Sequence, residues 1–392
     1  MNFSKTTFLG FRRPDGHFGV RNYLGIISTV TCANQAAQDI ARHVDGAALF
    51  THQQGCGLTQ DDLALVERTL VSLGLNPNLG AVLVVSLGCE GINPNRVVEE
   101  IAASGKPVEL VKIQQEGGYF GALNDAGLKA QALSRMISGL PREEVSISKL
   151  RLGVKCGASD PTSGLASNPA VGKALDRLID ARGSAVFGET TEVVGAEHIL
   201  ARRCASKEVS DRLLDLVESL ERRVRQSGAD IRGGNPSAGN IAGGLTTLEE
   251  KSIGAIVKAG SSEIREILPY GARPNQGSGL FFVDSPGREP EILAALAAAG
   301  CQIILFSTGL GAPQGFPFVP VIKISGNRKT VNKLVDFIDL DVSQIILGGE
   351  TLEAAGDRIL EESLRVASGM RTKAEAIGYY GSTAIYQTGP IV

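Results

Sequence analysis

The sequence predicts an α/β protein of more than one domain. A Rossmann-like parallel-sheet part covers residues 1–142, and a further α/β catalytic region with Gly-rich loops covers 143–392. Three observations carry this. Short apolar runs rich in β-branched residues alternate with helical periodicity in the first third. Such an order implies a parallel sheet covered on both faces. The chain of 392 residues is also far longer than one small core requires.

The elements follow in order. YLGIISTV (23–30) reads as a strand, AAQDIARHV as a helix and AALF as a strand leading into the HQQGCG turn. LALVERTLVSLG is helical, AVLVVSLG (81–88) is a buried strand, NRVVEEIAAS is a helix and VELVKIQ is the next strand. The middle opens on the strand LRLGVKC and enters a loop without hydrophobic period, KCGASDPTSGLASNP (155–169). NPAVGKALDRLIDARG is a helix, SAVFGE a strand, and ETTEVVGAEHILARR runs into another helix. Leu213, Val217, Leu220 and Val224 mark one helical face between 207 and 226. GADIRGGNPSAGNIAGGLTT (228–247) reads as a long aperiodic loop of small residues, a length that points to function or disorder. The last third returns to α/β with SGLFFVDSP, the helix EPEILAALAAAG and the strands CQIILFS and VPVIKIS. A final helix from Thr351 carries Leu352, Ala355, Ile359 and Val366 on one face, with Gly369 as its C-terminal cap.

Composition excludes several classes of function. The net charge is −3 with no block of like charges, which argues against nucleic acid or an anionic membrane as partner. No apolar run approaches the twenty residues of a spanning helix, and the N-terminus lacks the apolar core of a signal peptide. The six cysteines are scattered and none forms a CxxC pair, so a reducing cytoplasm is expected rather than a disulfide framework.

Ligands of parallel sheets sit beyond the carboxyl ends of strands, where His52, Cys56, Cys89 and Glu90 all fall. Cys56, Cys89 and Cys156 each neighbour glycine in a loop; they read as thiolate ligands or reactive thiols, or else as small core residues. Cys32, Cys204 and Cys301 read as packing residues. GETTEVVGAEH (188–198) supplies Glu189, Glu192, Glu197 and His198, either on a charged surface helix or as buried carboxylates that need a cation. GGLTTLEEKS (243–252) brings Glu249, Glu250 and Lys251 together, as a helix surface or as a base–acid couple. GLGAPQG (309–315) has the glycines of a dinucleotide fingerprint, but Pro313 and Pro317 prevent the helix that would meet a phosphate. A substrate-facing turn is expected there, and no nucleotide.

Together GFRRPDGHFGVRN, HQQGCG, VSLGCEG, CGASDPTSGLASNP, GETTEVVGAEH, NPSAGN, GGLTTLEEKS and STGLGAP resemble the large domain of the altronate and galactarate dehydratase family, in the same order and over nearly the whole chain. Sulfolactate sulfo-lyase large subunits belong to the same family. The resemblance implies a metal-dependent lyase that uses Fe2+ or Mn2+, with Zn2+ possible, and removes water from a sugar acid to give a 2-keto-3-deoxy acid. In the sulfo-lyase alternative sulfite leaves from a sulfo-acid. A non-catalytic metal- or ligand-binding protein is the alternative of another class.

On this reading His52, Cys56, Cys89, Cys156 and Glu192 are candidate metal ligands. Ser159, Asp160, Ser163 and Asn168 meet substrate hydroxyls, while Arg21, Lys155 and Lys323 neutralise carboxylate and developing charge. Glu250 and Lys251, with His198, are the catalytic candidates. Two positions depart from the family pattern: Ala158 stands where a glycine is frequent, and Leu310 where an arginine is, which removes a group suited to a second substrate carboxylate. Fused relatives carry a small additional N-terminal domain. The resemblance therefore implies a separate small subunit of about a hundred residues and an oligomeric enzyme.

Overall fold

The computed structural model describes residues 3–275 and 277–392. Two parallel sheets dominate. The first holds Ala47–Phe50, Tyr23–Ser28, Leu79–Ser86 and Val108–Lys112 in that spatial order, every neighbouring pair parallel. Its residues alternate between two cores, as the two-residue period of a strand requires. Leu24, Ile26, Leu83 and Val85 pack with the helices Asn34–Arg42 and Tyr119–Ser138. Ile27, Val82 and Val84 pack on the other face with the helices Gln60–Gly74 and Pro94–Ala102.

The second sheet has seven parallel strands: Ile264–Leu268, Gly279–Val283, Ser184–Phe187, Arg151–Gly157, Ile303–Thr308, Val321–Ser325 and Leu340–Asp341. Val186, Phe281, Val283, Ile304 and Phe306 share one core with the first sheet's Ile27 and Val84. Between the sheets the helix Gln60–Gly74 packs on Glu289–Ala298. Eight of the ten residues of Glu289–Ala298 are buried, which explains a sequence, EILAALAA, that is apolar all round. The opposite face of the second sheet is covered by Asn168–Asp180, Lys207–Gln226 and Leu352–Ala367. Gly369 follows the last of these at φ +118°, and Met370 N–H closes on the Arg365 carbonyl at 3.1 Å.

Three features depart from expectation. A small antiparallel sheet, Phe18–Gly19, Thr7–Arg12 and Glu143–Ser146, joins the N-terminus to the segment that precedes the second sheet. Its strands are two to six residues long and bury single residues such as Phe8, Phe18 and Val145, too short a pattern to mark a strand. The helix Tyr119–Ser138 buries only a narrow stripe, Ala122, Ala126, Ala130, Leu133 and Ile137, so its periodicity is faint. The tract 228–247 is not a featureless loop: it holds the turn Ile231–Gly233 and the short helix Ala238–Ala242, capped reciprocally by Ser237 and Asn240.

Arg21 is a structural residue rather than a substrate ligand. Its guanidinium meets Glu375 Oε1 and Oε2 at 2.8 and 2.9 Å and the carbonyls of Val20, Val366 and Met370, which occupies the whole fork. This pins the N-terminal segment to the C-terminal helices. Arg21→Met leaves the Glu375 carboxylate buried and unpaired, and a loss of about 3–5 kcal/mol is expected. Urea denaturation of the variant measures it; an unchanged midpoint refutes the role.

Candidate active site

The strand Arg151–Gly157 lies in the interior of the seven-stranded sheet, and its carboxyl end delivers Lys155 and Cys156 to opposite faces. Beyond it Ala158 takes φ +50°, in the left-handed region that favours glycine, and its carbonyl accepts the N–H groups of Gly309 and Leu310 at 3.2 and 2.8 Å. The 155–169 segment is thus clamped by the GLGAPQG turn, which packs on it through Gly309. Ser159 Oγ lies 2.9 Å from Cys156 Sγ. Asp160 accepts from Thr162 Oγ1 at 2.6 Å and from Asn327 Nδ2 at 2.7 Å. A π-helical turn, Ser163–Ser167, then feeds the helix Asn168–Asp180. Asn168 Nδ2 donates to the Gly254 carbonyl at 2.7 Å and to Cys156 Sγ at 3.4 Å, while its Oδ1 is buried without a hydrogen-bond partner.

These groups line one cavity of about 300 Å³: Cys156, Ser159, Asp160, Ser163 and Asn168 from the loop, Glu250 and Lys251 from the helix Leu248–Ile256. The structure therefore brings together four of the seven expected substrate-binding residues with two of the three expected catalytic residues. The helix Asn168–Asp180 reaches this position because Gly172 has no side chain: a Cβ there would stand 2.4 Å from the Val257 carbonyl.

Behind the cavity lies a buried chain of alternating charges. Glu189 takes φ +74°, a strained conformation for a residue with a side chain. Its carboxylate accepts the Cys156 N–H at 3.0 Å, stands 3.2 Å from Lys155 Nζ and contacts Lys258 Nζ. Lys258 also meets Glu192 at 3.0 Å. Glu192 reaches Lys251 at 3.6 Å, and Lys251 donates to Asn235 Oδ1 at 2.7 Å. Burial alone would raise the Glu192 carboxyl, but Lys258, Lys251 and Lys155 outweigh it and hold it at about 2. Glu189 is pushed up by burial and by the charge of Glu192, against the pull of Lys258 and Lys155. Burial and the charge of Glu192 also push up the Cys156 thiol, which stays protonated at neutral pH. Lys251 lines both this cavity and a more open one of about 760 Å³ bounded by Thr191, Glu192, Asn235 and Gly287.

The five expected metal ligands do not form one site. Cys156 and Glu192 are close enough to influence each other's charge, but His52, Cys56 and Cys89 belong to the loops of the first sheet. His52 is buried, donates from Nε2 to the Ser28 carbonyl at 2.9 Å and accepts the Gln54 N–H on Nδ1 at 3.1 Å. Burial lowers its pKa to about 4, so it is neutral with both nitrogens engaged. Among the described residues no three His, Cys, Asp or Glu side chains converge in metal-ligand geometry. Cys156 and Glu192 already hold Ser159 and Lys258 as partners, and among the described residues no third donor joins them to complete a divalent-ion site.

The remaining candidates fall outside the cavity. Lys155 is fully buried, satisfied by Glu189 and Glu289. Lys323 is buried without a hydrogen-bond partner among the described residues, and burial, opposed by Asp339, lowers it to about 8. His198 is exposed on the short helix Glu197–Ala201 and lines neither cavity. Cys32, expected as a packing residue, is exposed. Lys258 is the site residue that sequence reasoning left out, while Glu189 was named among the GETTEVVGAEH carboxylates but given no role. A lysine inside the apolar run GAIVKAG was the available signal, since a buried lysine needs a partner.

Lys258→Met strands two carboxylates and is expected to lower stability by about 3–5 kcal/mol. Glu192 tests the network through pH. Its folded pKa lies below the unfolded value of about 4.3, so its contribution is complete above that value and is lost as pH falls through about 2. Urea midpoints measured between neutral pH and pH 2 should fall less steeply in Glu192→Gln than in the unmodified protein; parallel curves count against the network.

Residues 147–391 match the family model described as D-galactarate/Altronate dehydratase, C-terminal, and residues 10–138 match D-galactarate dehydratase/Altronate hydrolase, second domain. The chain is 38% identical over 395 residues to the (2R)-sulfolactate sulfo-lyase subunit beta of Chromohalobacter salexigens, covering 99% of this chain and 100% of that subunit. It is 35% identical over 392 residues to the altronate dehydratase of Escherichia coli, covering 97% of this chain and 77% of that protein. Identity to the Escherichia coli galactarate dehydratase (L-threo-forming) is 34% over 408 residues, covering 98% of this chain and 77% of that protein. The chain belongs to the D-galactarate/altronate dehydratase family and is a lyase.

Proposed function

We propose that this chain is the large subunit of a lyase that removes water from a sugar acid, leaving a 2-keto-3-deoxy acid. The observation that carries the proposal is the cavity wall: Lys251, paired behind it with Glu192, stands with Ser159, Asp160, Ser163, Asn168 and Glu250 in a pocket whose remaining wall is apolar, with Leu165, Leu245, Ile253 and Val257. A polyol chain offers many O–H groups, and Ser159, Ser163 and the free Oδ1 of Asn168 receive or donate to them. Glu250 also faces the cavity; hydrogen bonds from the Thr246 hydroxyl and N–H lower its pKa, so it is an ionised acceptor.

Each group then has a task. Glu250 takes the proton from the carbon next to the substrate carboxylate, and the pair left on that carbon forms the double bond to its neighbour. The neighbour's C–O bond breaks, and Lys251 gives the departing hydroxyl its proton, so water leaves. The enol that remains tautomerises to the ketone. Developing negative charge is met by the positive side of the buried network, where Lys251, Lys258 and Lys155 lie in sequence. A divalent metal, where the enzyme holds one, would stabilise the enolate, but the five expected ligands do not converge to bind it.

A second reading is favoured by coverage. The chain spans the whole of the sulfo-lyase subunit beta but 77–78% of the dehydratases. In that reading the broken bond is C–S and sulfite leaves. The name of the sulfo-lyase relative, a subunit beta, supports a partner subunit that works with this chain.

A substrate panel of altronate, galactarate and sulfolactate, run on protein co-expressed with its small subunit, tests both. Keto-acid formation without sulfite supports the dehydratase, and sulfite release supports the alternative. Lys251→Met and Glu250→Gln should lower kcat roughly 10²–10⁴-fold with the fold retained by circular dichroism. Intact ligand binding with no turnover of any of the three would instead mark a non-catalytic binding protein.

A further inference from the structure

The seven-stranded sheet carries a second cavity, of about 480 Å³, at the end opposite the catalytic one. It opens at the amino ends of four neighbouring strands. Arg151 and Ser184 begin Arg151–Gly157 and Ser184–Phe187, Ser278 precedes Gly279–Val283, and Gln302 precedes Ile303–Thr308. A strand rises about 3.3 Å per residue, which puts Arg151 roughly 16 Å from Cys156 along the same strand. The volume lies in the range of small-molecule sites.

The charges in this cavity do not balance. Lys149, Arg151, Arg182 and His17 line it against one carboxylate, Asp15. Asp15 is held in its own turn, where it accepts the His17 N–H at 3.0 Å and stands 3.2 Å from His17 Nδ1. Arg151 is only 9% exposed. It donates from Nε to Ser184 Oγ at 3.1 Å and from Nη1 to the Ala299 carbonyl at 2.8 Å, and among the described residues no carboxylate pairs with it. Behind it Arg273 donates to the Leu75 carbonyl at 3.1 Å. Gly300 lies between the two guanidiniums: a Cβ there would stand 3.0 Å from Arg151 Nη1 and 3.4 Å from Arg273 Nη2. Ala299 and Leu75 close the helices Glu289–Ala298 and Gln60–Gly74, whose negative ends account for Arg151 and Arg273. They do not account for Lys149 and Arg182, which have no ion pair or side-chain hydrogen bond among the described residues. Arg182 also takes φ +64° just past the helix Asn168–Asp180, a position that favours glycine. Strain accepted at such a position points to use of the side chain.

We propose that this cavity binds a phosphate monoester, with Lys149, Arg151 and Arg182 around the phosphate and the Ser278 hydroxyl as a further donor. A phosphate group carries about −1.5 to −2 charges at neutral pH and three acceptor oxygens, which matches three cations without carboxylate partners. The donors arrive singly from a turn, a strand and a helix end. That arrangement suits a tetrahedral group better than a flat carboxylate, which is best met by one bidentate fork. The site is separate from the catalytic cavity, and the assignment does not depend on which group leaves there.

Titration calorimetry on the full chain tests this, with glycerol 3-phosphate and inorganic phosphate as probes and chloride holding the ionic strength constant. Glycerol 3-phosphate should bind saturably at one site per chain, and inorganic phosphate more weakly at the same site. Arg182→Gly relieves the left-handed backbone, and Lys149 is exposed on its turn. Arg182→Gly and Lys149→Met should therefore fold as the unmodified chain does, and each should weaken binding roughly tenfold. Lys251→Met, in the catalytic cavity, should leave the affinity unchanged. Unaltered affinity in either Arg182→Gly or Lys149→Met overturns the proposal. Loss of binding in Lys251→Met also overturns it, because the anion then sits in the catalytic cavity. Heats no larger than those of a chloride titration, or tighter binding of citrate than of either phosphate, count against it in the same way.

Discussion

The carboxylate of Glu189 is the point on which the catalytic half of the molecule turns. It stands in a left-handed backbone conformation that costs about 1–3 kcal/mol, is fully buried, and reaches the Cys156 N–H, Lys155 and Lys258 together. Those three partners come from the strand Arg151–Gly157 and from the turn that follows Leu248–Ile256. A buried carboxylate without such partners would be prohibitively expensive to desolvate. The strand, the loop and the helix are therefore obliged to meet, and the cavity forms on the outer side of the place where they do.

That arrangement explains why the network looks structural and chemical at once. Lys155 and Lys258 are enclosed, and serve Glu189 and Glu192. Lys251 stands at the end of the chain and is shared between the network and the cavity. A charge placed in the cavity is felt by buried, unscreened partners, where electrostatic interaction is strongest. The loop 155–169 adds hydroxyl and amide groups without adding charge mobility, because Asp160, its one carboxylate, is tied to Asn327 and Thr162.

The two sheets divide the chemistry. The second sheet carries the cavity with its hydroxyl, amide and charged groups; the first carries exposed sulfur. They share an apolar core in which helices from each sheet lie face to face, so neither layer is complete without the other. The small antiparallel sheet and the Arg21–Glu375 pair add two more ties, from the N-terminus to the segment between the sheets and to the C-terminal helices. The gap between the two matched family models, 139–146, contains the strand Glu143–Ser146 that makes the first of these ties.

Much was settled by the order of residues alone. Short apolar runs rich in β-branched residues, alternating with helical periodicity, defined the parallel strands, and unusual loop motifs defined the family; the KCGASDPTSGLASNP segment stood out because it has no hydrophobic period. Its association with Glu250 and Lys251 was also anticipated. What only the folded chain decided was which side chains are neighbours. Cysteine and histidine look alike as ligands in a sequence, but the fold engages both ring nitrogens of His52, buries Cys156 against Ser159 and leaves Cys32, Cys56 and Cys89 exposed. Lys258 lies in an apolar run and gained its partners through contacts across about seventy residues; such pairing is set by the packing of elements, and sequence spacing carries no record of it.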